Sequence, residues 1–224
     1  MELTPRLRAV ADRVPQGARL ADVGTDHGYL PVWLILRGRL SGAIAADLRS
    51  GPLERARQTA RQYGVEDRIS FRQCDGLAAI SGDEVDAVAL AGMGGDTIAS
   101  ILAAAPWTQE KTLLLQPMTG FPSLRYFLQN HGYRIADERI AREGERLYTI
   151  WTATGGQMEP LSRAELWVGR QRGDDPLRGA YLDWMAGKAE RALAGRLASR
   201  QREEGEIQAL WEVLEGIRQM RKEL

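Results

Sequence analysis

Leu20-Ala-Asp-Val-Gly-Thr-Asp-His-Gly-Tyr-Leu-Pro31 reads as a short apolar strand running into a glycine-bearing turn and the start of a helix. A second apolar run, Ala43-Ile-Ala-Ala-Asp47, follows, and Asp47 lies nineteen residues beyond Gly28. An acidic residue at about that spacing is where nucleotide-binding α/β folds hydrogen-bond a ribose. The turn departs from the G-x-G-x-x-G of a dehydrogenase, because Thr25, Asp26 and His27 separate Gly24 from Gly28. A dinucleotide needs bare backbone amides at the helix N-terminus for its pyrophosphate, so Asp26 argues against an NAD-dependent oxidoreductase. A phosphate-free ligand tolerates a carboxylate there, and S-adenosylmethionine is one, carrying an ammonium and a sulfonium.

Strand and helix signals alternate outward from this unit. Leu20–Val23 and Ala43–Asp47 read as strands, and Tyr29–Leu36 and Gly51 to about Tyr63 as helices, with Pro52 suited to a first turn. Ile69–Gln73, Val85–Ala91 and Thr112–Gln116 read as further strands. Helices are expected from Asp96, as N-cap, to Ala104 and over Ser123–His131. Tyr133–Ile140 and Arg146–Thr154 read as adjacent strands joined by the charged turn Ala141–Glu145. Alternation predicts a parallel, doubly wound sheet, and the closing pair an antiparallel hairpin at its edge. The expected fold is therefore α/β: a Rossmann-like class I methyltransferase, with a seven-stranded, mostly parallel sheet and a C-terminal antiparallel hairpin.

Beyond Gln157 only helical patterns remain. Ile207, Leu210, Leu214, Ile217, Arg221 and Leu224 follow heptad spacing, and Leu177, Tyr181, Met185, Ala189, Ala192 and Arg196 share a helical face. The expectation is an antiparallel, coiled-coil-like helix pair bent near Gln201–Gly205 and projecting from the α/β domain. This divides the chain into a cofactor-binding domain, 1–155, and a helical appendage, 156–224.

The 224 residues carry 30 basic and 30 acidic side chains, balanced at 18 against 18 up to residue 155 and 12 against 12 beyond it. Any nucleic-acid surface must therefore be a local patch. Only Lys111, Lys188 and Lys222 are lysines, and arginine suits planar contacts to phosphate; a GC-rich genome explains the same bias. Cys74 is the only cysteine, so a reducing compartment is expected. No apolar run approaches membrane-spanning length. A cytoplasmic protein without a membrane partner is the expectation. With His27 and His131 the only histidines, no metal site is expected.

Four segments fall after successive strands: Asp22–Pro31, Asp47-Leu48, Cys74–Leu77 and Gly92–Gly95. Ligands of doubly wound sheets bind along that edge. Gly24 and Gly28 allow close backbone approach to the methionine part of the cofactor. Asp47 accepts from ribose hydroxyls, or caps the next helix. Asp75 accepts from the adenine amino group with Leu77 or Leu48 over the ring, or Asp75-Gly76 is an ordinary turn. Asp26 pairs with the ammonium, orients a substrate amine, or forms a capping Asx-turn. His27 is as much a structural as a catalytic candidate. Gly92-Met93-Gly94-Gly95 stands where amino-methylating enzymes often carry an Asn/Asp-Pro-Pro-aromatic loop, and either opens space beside the transferable methyl or is a tight turn. The candidate cofactor set is Asp22, Gly24, Asp26, His27, Gly28, Tyr29, Asp47, Leu48, Asp75, Gly76, Leu77 and Gly92; the candidate catalytic set is Asp26, Gly92, Met93 and Gly94.

Together these segments resemble the bacterial tRNA (adenine(22)-N1)-methyltransferases, the TrmK family. The resemblance rests on Asp22-Val-Gly-Thr-Asp-His-Gly-Tyr-Leu-Pro31, Gly51-Pro-Leu, Asp75-Gly-Leu77, Ala91-Gly-Met-Gly-Gly95, Leu115-Gln-Pro117, Leu124-Arg125 and His131-Gly-Tyr133. It covers roughly residues 3–155 and is looser in the helical tail. Met118 departs from the asparagine of many relatives. The resemblance implies methyl transfer from S-adenosyl-L-methionine to N1 of an adenine in the tRNA D-arm, with tRNA as partner. The adenine must be turned out of its stack to be reached. Candidate substrate contacts are Tyr29 for stacking, Gln116 and Pro117 for a base edge, and Arg6 and Arg8 for phosphate. Arg13, Arg55, Arg57 and Arg61 are further phosphate candidates or simply a solvated face. A monomer, or a weak dimer through the tail, is expected. The alternatives are a methyltransferase for a small molecule or protein, and a non-catalytic module binding S-adenosylmethionine or RNA.

Overall fold

A sequence that alternates apolar strands with helices buries both faces of its sheet, and the computed structural model shows how. It describes residues 1–171, 173–199 and 201–224. A short helix α1 (Pro5–Ala11) precedes β1 (Leu20–Val23), α2 (Tyr29–Leu36), β2 (Ala43–Asp47), α3 (Ser50–Gln62) and β3 (Ile69–Gln73). Then come β4 (Ala87–Met93), α4 (Gly95–Ala104), β5 (Thr112–Pro117), α5 (Phe121–Asn130), β6 (Tyr133–Glu143) and β7 (Arg146–Gly155). The chain continues through α6 (Arg163–Val168), α7 (Arg178–Ala198) and α8 (Glu204–Lys222).

The seven strands lie in the order β3-β2-β1-β4-β5-β7-β6, parallel except for β7, which pairs antiparallel with both β5 and β6. The order reverses between β1 and β4, and the crevice outside their carboxyl ends is the switch point where ligands bind in open α/β sheets. Two-residue periodicity divides the core. Ala21, Val23, Val88 and Leu90 face one hydrophobic cluster, whereas Leu20, Ala87 and Ala89 face the other. Helix α2 is buried at Leu30, Val32, Trp33, Leu34 and Ile35, consistent with its uniformly apolar sequence.

Several boundaries differ from the sequence reading. Strand β4 begins at Ala87 and runs on to Met93, because Gly92 forms a bulge between the pairs Ala91↔Gln116 and Met93↔Pro117. Gly94 rather than Asp96 occupies the N-cap of α4. Asp96 lies in the first turn, where a carboxylate complements the helix dipole, and accepts from the Ser123 hydroxyl at 2.6 Å. The hairpin strands are longer than expected, with Gly144 and Glu145 alone between them. Helix α1, capped by Thr4 with Pro5 in its first turn, left too short a periodic signal to be anticipated.

Helices α7 and α8 form the antiparallel pair. Arg196–Glu206, Arg218–Glu190 and Arg221–Asp183 bridge them in reversed order. The buried seam extends from Ile207 to Ile217, while Leu224 is exposed. The pair does not simply project. Ala164, Val168, Tyr181, Met185, Leu193, Leu214 and Ile217 belong to the same cluster as Leu124, Leu128 and Trp151. At that junction Arg125, fully buried, donates to Glu138 at 3.1 Å and to the carbonyls of Leu166 and Trp167 at 3.1 and 3.2 Å. Its guanidinium lies 4.0 Å from the centre of the Trp151 ring, and Gln171 donates to the other Glu138 oxygen at 2.9 Å. Burial pushes the neighbouring Tyr181 phenol up to about 12.

Candidate active site

The ends of β1 and β4 meet at the crevice. A cleft of about 320 Å³ opens there, lined by Asp22, Gly24, Thr25, Asp26, His27 and Tyr29 of the first turn, by Ala91 and Gly92 at the end of β4, and by Thr4, Arg6 and Leu7 of α1. The turn after β1 folds back on β2 through the amides of Gly24 and Thr25, both donating to the Ala46 carbonyl at 2.8 and 3.1 Å. Gly24, Asp26 and Gly28 have φ of 74°, 45° and 66°. Asp26 is the one non-glycine residue with positive φ among the described residues, a conformation that aspartate tolerates better than most side chains.

Asp22 and Asp47, at the ends of neighbouring strands, are 6 % and 9 % exposed. Asp22 accepts from the Thr25 hydroxyl at 2.6 Å and Asp47 from the Arg49 amide at 2.9 Å. Among the described residues neither carboxylate has a cationic side-chain partner. Burial, with a further contribution from the Asp47 charge, pushes Asp22 up to about 6. Two buried carboxylates at neighbouring strand ends, neither paired with a cationic side chain among the described residues, favour a positively charged ligand.

The other candidates divide by position. Tyr29 is 42 % exposed and stacks on His27, with ring centres 5.1 Å apart and planes inclined by 8°. Asp26 lines the cleft but its carboxylate is taken by Arg55, at 2.6 Å, and its side chain is 61 % exposed. The Asx-turn alternative finds no support, because no Asp26 side-chain bond caps α2. Leu48 is exposed. Asp75, Gly76 and Leu77 do not line that cleft; they line a separate cavity of about 420 Å³, together with Thr97, Ile101 and Trp107.

The glycine loop is held by the loop after β5. Met118 donates its amide to the Met93 carbonyl at 2.9 Å, and Gly95 donates its amide to the Thr119 carbonyl at 2.8 Å. A β-carbon at Gly95 would overlap the Gly120 carbonyl, so glycine is required there by close backbone approach. The Met93 side chain lies across the Gly24 backbone, its methyl carbon 2.8 Å from where a β-carbon on Gly24 would stand. Thr119 and Gly120 escaped sequence reasoning, since their role arises from contact with a segment more than twenty residues away.

Gln116 does not present a free amide to the crevice. It is fully buried; its carbonyl oxygen accepts from Arg6 Nη1 at 2.7 Å and from the Gly92 amide at 3.1 Å. Its amide nitrogen donates to the Pro117 carbonyl at 3.0 Å. Arg6 faces the cleft, and the remaining basic candidates are largely neutralised. Arg8 pairs with Asp12, Arg13 with Asp137, and Arg57 and Arg61 with Glu66. Arg8 lies over Trp33, outside the cleft.

The fold and the strand-end crevice define a methyltransferase, and a family model described as a methyltransferase domain matches residues 3–151. Among curated proteins, the tRNA (adenine(22)-N1)-methyltransferase of Bacillus subtilis is 38 % identical over 161 residues, covering 71 % of this chain and 68 % of that protein. The crystal structure of the B. subtilis m1A22 tRNA methyltransferase TrmK superposes with a TM-score of 0.86 at 30 % identity, covering 98 % of this chain and 99 % of that one. A Streptococcus pneumoniae protein solved in complex with S-adenosyl-L-methionine matches at 37 % identity and a TM-score of 0.81, covering 95 % of this chain and all of that one. The chain belongs to the tRNA (adenine(22)-N1)-methyltransferase family.

Proposed function

We propose that this chain transfers the methyl group of S-adenosyl-L-methionine to N1 of adenine 22 in the D-arm of tRNA. The observation that carries the cofactor reading is the pair of buried carboxylates, Asp22 and Asp47, at neighbouring strand ends and without a cationic partner among the described residues. They fit a ligand bearing an ammonium at one end and a ribose diol further along. Asp22, with the Gly24–Gly28 turn, holds the methionine end; Asp47 takes the ribose hydroxyls, while Asp75 and Leu77 border the adenine. Bound there, the sulfonium supplies an electrophilic methyl group.

Neutral adenine N1 carries a lone pair and no proton, so the protein's work is alignment and charge stabilisation. Gly92 leaves its part of the cleft wall without a side chain beside the acceptor ring. Tyr29, exposed and already stacked on His27, extends a flat surface for an everted base. The methylated ring is cationic, and Asp26 stabilises that charge from the cleft's rim, weakly, because Arg55 shares its carboxylate. Residues 1–155 form the catalytic unit, and 156–224 a helical unit docked on it through Arg125. No helix among the described residues is long and apolar enough to cross a membrane, and a cytoplasmic, monomeric or weakly dimeric enzyme is the corresponding proposal.

Incubation of unmodified tRNA with labelled S-adenosyl-L-methionine, followed by nucleoside mass spectrometry, tests the reading. 1-Methyladenosine appears, and substitution of adenine 22 in the tRNA abolishes it. Cofactor binding without any methylated nucleoside refutes the tRNA assignment and favours a different acceptor or a non-catalytic role.

A further inference from the structure

We infer that Gln116 is a positioning residue for RNA binding, fixing the Arg6 guanidinium at the cleft while leaving its positive charge unneutralised. The inference rests on the tRNA reading above and specifies how one cation of that site is prepared.

Gln116 is fully buried at the end of β5, and both ends of its amide are engaged. One carbonyl oxygen serves two donors from distant parts of the chain. The first is the Gly92 amide, turned out of the strand ladder by the bulge at φ 82°. The second is Arg6 Nη1, reaching across from α1. Arg6 also lies 5.6 Å from the centre of the Tyr148 ring, and its own amide donates to Glu143 at 3.3 Å. The helix and the glycine bulge thus meet at one side-chain amide, and the β6–β7 hairpin contacts Arg6 itself.

The chemistry of the acceptor matters. Arg8, Arg55 and Arg61 end on carboxylates, and an arginine so paired offers little net charge to a phosphate. Among the described residues the Arg6 guanidinium has no carboxylate within salt-bridge distance. A neutral acceptor and an aromatic face orient it, so its planar N–H fork remains a cation. Positioned beside Gly92 on the cleft wall, it suits a phosphate flanking the everted adenosine.

Glutamate at 116 retains an acceptor for both donors but converts the Arg6 contact into an ion pair. Gln116→Glu is therefore expected to weaken tRNA binding, and to lower the slope of log affinity against log salt by about 0.7 to 1, one phosphate contact. Arg6→Ala is expected to lower the slope equally, and the double variant no further. Arg6 lines the same cleft as Asp22, so the salt slope of tRNA binding, not the affinity for S-adenosyl-L-methionine, is the readout. Gln116→Leu removes the acceptor, and hydrogen exchange at the Gly92 amide accelerates about tenfold or more. That readout needs neither tRNA nor turnover.

A full wild-type salt slope in Gln116→Glu, or slope losses that add in the double variant, overturns the role assigned to Gln116. Unchanged exchange at Gly92 in Gln116→Leu overturns the bracket itself. Wild-type protein that neither binds nor methylates tRNA refutes the tRNA reading instead, and the inference with it.

Discussion

Replacing Asp22 by asparagine should stabilise the cofactor-free protein at neutral pH while impairing its site. The Asp22 carboxyl is buried and displaced from an ordinary aspartate value near 4 up to about 6. Desolvation is the main cause and the Asp47 charge adds to it, while the Thr25 hydroxyl opposes both. Between pH 4 and 6 the folded chain therefore holds a proton that the unfolded chain has released. Stability falls as pH rises wherever the folded state binds more protons. A displacement of about two pH units corresponds to about 3 kcal/mol, an upper bound for the penalty of the charged form above pH 6. Asparagine cannot ionise, and its carbonyl retains the Thr25 bond. Urea unfolding of both proteins across pH 4.5 to 8, without cofactor, should show Asp22→Asn gaining up to about 3 kcal/mol at pH 8 but only about 1 kcal/mol at pH 4.5. The same variant should bind S-adenosyl-L-methionine more weakly, since the anion facing the ammonium is gone. A variant no more stable than wild type at pH 8, with a difference independent of pH, would refute the reasoning.

Three further outcomes follow from other contacts. Arg125→Ala leaves Glu138 charged and buried and frees the carbonyls of Leu166 and Trp167; a loss of about 3–5 kcal/mol is expected in chemical unfolding, and a loss below 1 would contradict the welding role. Gly95→Ala forces a β-carbon onto the Gly120 carbonyl; methylation should drop at least about tenfold, as a roughly 1 Å displacement near the reacting groups allows, and normal turnover would show that the two loops can part. Asp26→Asn should lower kcat only about tenfold or less, well short of the loss typical of a buried oxyanion donor, because its carboxylate is exposed and shared with Arg55. Single-turnover rates on tRNA decide that case, and a loss above a thousandfold would give Asp26 a more direct part.

Much of the fold was legible because its signals are local. An apolar strand of four or five residues, a glycine or aspartate at its end and an amphipathic or wholly apolar helix all lie within one window of sequence. That is why β1 through β3, α2 and the order of the strand-end segments read correctly. Even so, α1 was missed, being too short to carry a periodic signal. The β4 boundary slipped because the Gly92 bulge is stabilised by Gln116, twenty-four residues away.

What the sequence by itself determined is the chemistry on offer: the acidic residues after β1, β2 and β3, the glycines after β4, and a helical tail with a heptad seam. Only the tertiary structure decided which of those groups are free to act. It joined Asp26 to Arg55, left Asp22 and Asp47 without a cationic partner among the described residues, placed Gln116 between Arg6 and Gly92, and buried Arg125 against Glu138. Periodicity records which face of an element is apolar, but not which distant side chain will stand opposite a buried charge. That partner is set by the stacking of the whole sheet and by the cost of leaving a polar group unsatisfied inside it.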